Sequence, residues 1–148
     1  MGLFNFISTF EFIIEQITMG IFTEVTAGIK VSVETFYQPT HSNPAQAHYV
    51  FAYRISIQND SEYAIRLKRR HWYIVDSDNT RREVEGEGVV GEQPHLAPGE
   101  TYRYVSGCNL NTEIGKMYGT YLMERQFDKK LFFVKIPEFR MVVPSKLN

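Results

Sequence analysis

Cysteine is almost absent from this chain. Cys108 stands alone among 148 residues, so no internal disulfide can form, and a reducing compartment, the cytoplasm, is the expected setting. An excess of one charge is lacking too. The 16 basic and 17 acidic residues leave a formal net charge of −1, so no overall field recruits nucleic acid or an anionic membrane, and nucleic acid is not expected as the main ligand. No apolar run approaches the roughly 20 residues that span a bilayer, so no membrane span is expected. The histidines His41, His48, His71 and His95 show no H-x-x-x-H spacing, and one cysteine makes no C-x-x-C pair. No metal site and no cofactor is read from such a pattern. A G-K-[ST] element is missing as well. No base stands beside a nucleophile in a recognisable arrangement, so enzymatic activity is not expected, and phosphate-ester chemistry ranks last among the readings.

What the chain does hold is aromatic. Phe, Tyr and Trp make up 14% of it, with 11 Phe and 9 Tyr, and large flat side chains favour strands. Its length suits one domain with a real core. In residues 1–18, Leu3, Phe6, Ile7, Phe10, Ile13, Ile14 and Ile17 recur at helical spacing, which predicts a short amphipathic helix. No basic residue precedes this stretch and no small-residue cleavage site follows it, so it does not read as a secretory signal. Its polar face carries Glu11 and Glu15 and no base, which disfavours anionic lipid. Two readings stay open: a helix that covers an exposed edge or a partner's groove, or sequence upstream of a natural start at Met19, the one preferred. Residues 1–22 are accordingly read as an N-terminal extension and 23–148 as the folded domain.

From about residue 23 the period changes to two. Ile29, Val31, Val33, Thr35 and Tyr37 alternate with polar neighbours, and so do Tyr49, Phe51, Tyr53, Ile55 and Ile57, as half-buried strands should. Residues 39–47 read as a loop, and Asn59-Asp60-Ser61 and Asp76-Ser77-Asp78-Asn79 as turns. Ile65 and Leu67 have the opposite parity to Trp72 and Ile74, which predicts a β-bulge within 68–71. Further strands are expected at 80–85, 101–106, 119–127, 131–136 and 139–143. The prediction is an all-β, fibronectin type III or immunoglobulin-like two-sheet sandwich of about seven strands, with the N-terminal helical extension. Leu96, Pro98, Gly99 and Tyr102 form L-x-P-G-x-x-Y, in which Pro-Gly turns the chain and the tyrosine hydroxyl is expected to tie the corner to backbone.

A family resemblance rests on Arg70-His71-Trp72, on Gly86-Glu87-Gly88-Val89-Val90-Gly91-Glu92-Gln93-Pro94, and on Leu96-Ala97-Pro98-Gly99-Glu100. It extends through Tyr104-Val105-Ser106-Gly107-Cys108 to Ile136-Pro137-Glu138-Phe139. Over about residues 23–143 the chain resembles the ApaG family. That resemblance implies a fibronectin type III-like sandwich. It implies, for a bacterial stand-alone member, a link to cobalt tolerance and magnesium efflux. Similar domains appended to eukaryotic F-box and polymerase-interacting proteins imply a recognition module, and the family is not an established enzyme class. Its pattern usually begins close to Met19 here.

Gly86, Gly88 and Gly91 form G-x-G-x-x-G, which cradles a pyrophosphate only where a helix starts within it. Pro94 and Pro98 follow and no helical pattern begins, so the glycines are read first as serving an irregular loop, and second as a small nest of N–H groups for phosphate. Arg66, Lys68, Arg69 and Arg70 beside His71 and Trp72 read as a solvated strand or as an Arg-and-aromatic surface for an acidic partner. His71, His95 and Glu92 are the set that spatial convergence would most readily make a metal site. Cys108 reads as a structural thiol. The leading expectation is a non-enzymatic module that binds an unidentified protein partner through Arg70, His71, Trp72, Gly86, Gly88, Gly91, Glu92 and Gln93. The alternative is a sensor of phosphate or pyrophosphate compounds using the same loop. Aromatic-rich strands also leave a sheet-to-sheet homodimer open.

Overall fold

The alternating segments fold as ten antiparallel strands in a computed structural model, which describes residues 3–4 and 20–146. They are β1 (Leu3–Phe4), β2 (Ile21–Thr26), β3 (Ile29–Tyr37), β4 (Tyr49–Asn59), β5 (Ile65–Asp76), β6 (Arg81–Glu87), β7 (His95–Leu96), β8 (Thr101–Leu110), β9 (Ile114–Arg125) and β10 (Leu131–Val142). One sheet runs β1-β8-β4-β3-β2. The other runs β10-β9-β5-β6, with β7 also pairing β5. The two-sheet sandwich is therefore as expected, with more strands. Three short ones, β1, β2 and β7, were not foreseen, and the two strands expected at 131–136 and 139–143 are one. A bulge between Ile136 and Phe139 carries β10 through Pro137 without breaking it.

The helix expected over residues 1–18 falls outside the described residues except at Leu3–Phe4. There the backbone is strand, paired Leu3 with Cys108 and Phe4 with Gly107, because β8 offers an edge whose amides need partners. Among the described residues only three single turns are helical, Pro39–His41, Pro44–Gln46 and Pro144–Lys146. No helix among them is long and apolar enough to cross a membrane.

The core lies between the sheets. Trp72, Tyr53, Tyr121 and Phe139 are at most 1% exposed and pack ring on ring: Tyr53–Trp72 at 5.6 Å, Tyr53–Phe139 at 5.7 Å, and Trp72–Phe139 at 5.9 Å and 88°. Each such pair adds about 0.5–1.5 kcal/mol beyond the area it buries. The expected bulge in β5 is present: its pairing with β9 shifts between Leu67 and Arg69, so Lys68 is the extra residue. That slip turns Arg70 and Trp72 inward with Leu67, and leaves Arg69, His71 and Tyr73 on the outer face.

Buried Asn59 fixes one end of the sandwich. Its Nδ2 donates to the carbonyls of Tyr63 (2.8 Å) and Leu96 (3.0 Å), and its Oδ1 accepts from Ser61 N (3.0 Å). Its own carbonyl accepts from Gly99 N at 2.7 Å, with Gly99 at φ +88°. The Pro98-Gly99 corner thus forms. Tyr102 does not tie it to backbone, however: the hydroxyl donates to Glu92 Oε2 at 3.0 Å, because the neighbouring loop brings a stronger acceptor within reach.

Candidate functional site

The run Arg70-His71-Trp72 splits across two faces of β5, as alternate strand residues must. Trp72 is 1% exposed and belongs to the core, so it offers nothing to a partner. Arg70 also points inward and holds the glycine-rich loop from beneath. Its Nη1 donates to the carbonyls of Glu87 (3.0 Å) and Gly88 (3.1 Å). Only His71 of the three faces out.

The loop at 86–94 is closed on itself. Gly88 N–H donates to Lys68 O (2.9 Å), Val89 N–H to Glu92 O (2.8 Å) and Glu92 N–H to Val89 O (2.9 Å). The side-chain amide of Gln93 donates to the same Lys68 carbonyl at 2.9 Å, and Arg66 reaches Gln93 O at 2.9 Å. Gly91 forms the tip at φ +82°, with Val90 before it at φ +42°. No helix begins here, and three of the amides a phosphate would need already have acceptors. A phosphate would also meet the Glu92 carboxylate. The structure brings together Arg70, Gly86, Gly88 and Gln93, with Glu92 on Tyr102, as a fold-stabilising assembly. Among the described residues no three His, Cys, Asp or Glu side chains are placed to hold a metal ion, so His71, His95 and Glu92 do not converge.

A different concavity opens on the outer face of the β10-β9-β5-β6 sheet. Strand register lines up Glu87, Arg69, Leu122 and Phe133 in one row and Glu85, His71, Thr120 and Lys135 in the next. A hollow of about 180 Å³ lies among Arg69, His71, Glu85, Thr120, Leu122 and Phe133. His71 Nε2 lies 2.8 Å from Glu83 Oε2, and its Nδ1 3.4 Å from Glu85 Oε2. Its ring stacks on Tyr73 at 4.6 Å, Tyr73 stacks on Tyr118 at 5.1 Å, and the Arg81 guanidinium covers Tyr73 at 4.3 Å. These contacts hold a flat, aromatic, mixed-charge surface in place. Phe133 is 67% exposed beside it, and Leu131 and Phe127 on the β9–β10 hairpin are 53% and 76% exposed.

Sequence reasoning missed this surface except for Arg69 and His71. Phe133 alternates with buried Val134 as any strand residue would, and nothing local says which parity faces water.

Inside the sandwich, the Tyr104 and Tyr121 hydroxyls meet at 2.5 Å, and burial drives the Tyr53, Tyr104 and Tyr121 phenols well above their ordinary range. Cys108 is buried, and that burial pushes its thiol up to about 12 in spite of nearby Arg82. A thiol held protonated is a poor nucleophile.

The comparisons with known proteins agree in direction. A family model described as the ApaG domain matches residues 39–125. The chain is 45% identical over 125 residues to Protein ApaG of Allorhizobium ampelinum, covering 84% of this chain and 95% of that one. It is 47% identical over 123 residues to Protein ApaG of Azoarcus sp., covering 83% and 96%. A crystal structure of an ApaA protein from Bordetella pertussis is 46% identical, with a TM-score of 0.76 over 78% of this chain and 94% of that one.

Proposed function

This chain belongs to the ApaG family, and on that premise we propose that it is a non-enzymatic protein-recognition module whose partner docks on the outer face of the β10-β9-β5-β6 sheet. One observation carries the reading: Phe133, 67% exposed, stands in a row with Leu122 beside His71 and Arg69, on a face flattened by stacked rings. Exposed large apolar groups set next to Arg and aromatic side chains and rimmed by charge are the composition of an interface centre. The rim is the acidic column Glu83, Glu85 and Glu87 on β6 and the basic Lys135 on β10, which sets orientation more than strength.

The outer face is favoured over the glycine-rich loop because the loop's polar groups are hydrogen-bonded within the fold. The cobalt and magnesium link carried by the family resemblance gives the pathway in which the partner is sought. A cytoplasmic home fits the single buried thiol. The test is affinity capture from the native cell with wild type, Phe133→Asp and Gly91→Arg. Loss of the same partner in Phe133→Asp alone supports the reading, and loss in Gly91→Arg alone returns the site to the loop.

A further inference from the structure

A second concavity lies where three turns meet. Ala27 of the β2–β3 turn, Ser61, Glu62 and Tyr63 before β5, and Arg125 and Lys130 of the β9–β10 hairpin surround a cleft of about 350 Å³. Ile65, 1% exposed, and half-buried Phe132 form its apolar part. The walls are preset. Arg125 holds Asp128 with two bonds (Nε–Oδ1 2.9 Å, Nη2–Oδ2 2.5 Å) and lays its guanidinium over the Tyr63 ring at 4.7 Å. Backbone bonds from Gln126 N to Ala64 O (2.9 Å) and from Arg125 N to Lys130 O (2.8 Å) fix the hairpin against the β4–β5 turn.

The charges on the cleft are informative because Arg125 is already spent on Asp128. That leaves Glu62 and Lys130, one of each sign, both exposed and neither within ion-pair distance of an opposite charge among the described residues. We propose that this cleft binds a small zwitterion with one large apolar side chain, of the class of a free aromatic or branched α-amino acid. The side chain enters between Tyr63, Ile65 and Phe132. The ligand's ammonium is set toward Glu62 and its carboxylate toward Lys130. The volume lies at the small end of the roughly 300–1,000 Å³ of ligand pockets, which suits a ligand of this size. The site is separate from the outer sheet face and stands whether or not a partner docks there.

Titration followed by backbone amide shifts tests it, with L-phenylalanine, phenylacetate, 2-phenylethylamine and N-acetyl-phenylalaninamide as probes. L-Phenylalanine is expected to shift the amides of Ala27, Tyr63, Ile65 and Phe132, with half-saturation at about 1 mM. Phenylacetate and 2-phenylethylamine each lack one charge and are expected to bind about two- to fivefold more weakly, the range of an exposed ion pair. Lys130→Ala weakens phenylalanine and phenylacetate and spares 2-phenylethylamine, while Glu62→Gln weakens phenylalanine and 2-phenylethylamine and spares phenylacetate. Both side chains are exposed, so both variants keep the fold. Unmoved amides at ~10 mM phenylalanine, equal binding of the blocked N-acetyl amide, or indifference to both variants would each overturn the assignment.

Discussion

Arg70 and Gly86 are cross-strand partners on β5 and β6, and the arginine occupies the space a side chain at 86 would need. A Cβ there would stand 3.0 Å from Arg70 Nη1. The first glycine of the G-x-G-x-x-G string therefore lets a guanidinium pass under the loop and reach the Glu87 and Gly88 carbonyls. This string shapes backbone, and its Gly88 and Val89 amides already have carbonyl acceptors.

Removing that arginine releases the loop. Arg70→Met is expected to cost about 2 kcal/mol, since hydrogen bonds from a charged donor contribute roughly 1.5–3 kcal/mol. Urea denaturation gives the stability. Hydrogen exchange should speed up first at the Gly88, Val89 and Glu92 amides. Unchanged protection there contradicts the account.

The other two glycines differ in kind. A Cβ at Gly88 would lie 2.1 Å from the Glu92 carbonyl oxygen, whereas at Gly91 nothing lies within 4 Å. Gly91→Ala pays only for its left-handed backbone, about 1–2 kcal/mol. Gly88→Ala must in addition break the turn closed by Val89 and Glu92. Urea midpoints should rank wild type above Gly91→Ala, and Gly91→Ala above Gly88→Ala. Equal midpoints for the two variants contradict the geometry.

Alkali separates the tyrosines. Burial, with help from the bond to Glu92, raises Tyr102 to about 12 from 10.0. Folding thus favours its neutral form. The stability this gives is full below pH 10 and is lost as pH rises through about 12. Tyr53, Tyr104 and Tyr121 are raised as well, by burial first. Ultraviolet titration should show these three ionising only as the far-ultraviolet dichroism collapses. Phenolate signal from all 9 tyrosines in the folded protein contradicts the core as described.

Trp72 reports on its own burial, because the chain has one tryptophan. Its fluorescence is expected to be blue-shifted and resistant to iodide, and Trp72→Ala to cost about 3–5 kcal/mol. Quenching at the rate of a free indole would put Trp72 back on the surface.

Local signals carried much of this fold. The alternation at Ile29–Tyr37 gives β3 residue for residue, and the parity change between Leu67 and Trp72 marks the bulge at Lys68. Short strands escape because two residues, as in His95–Leu96, make no pattern. Ile21–Thr26 escapes because its apolar residues continue those of the preceding segment. The candidate site is less legible, since it is built by register between strands distant in sequence. His71 meets Glu83 and Glu85 through β5–β6 pairing, and Phe133 meets Leu122 through β9–β10 pairing. The parity that marks the bulge already turns Trp72 inward; only the fold decides that Phe133 turns out.

The recognition surface itself is tested most directly by placing a photo-crosslinking amino acid at position 133, at 91, and at 25 on the far sheet. Irradiation in the native cell, followed by mass analysis of the adducts, reads out what touches each position. One protein adduct of defined mass, formed at 133 and absent at 91 and 25, is the predicted result. The same adduct formed at 91 and absent at 133, or none at 133 above the level at 25, contradicts a partner on the outer face of this sheet.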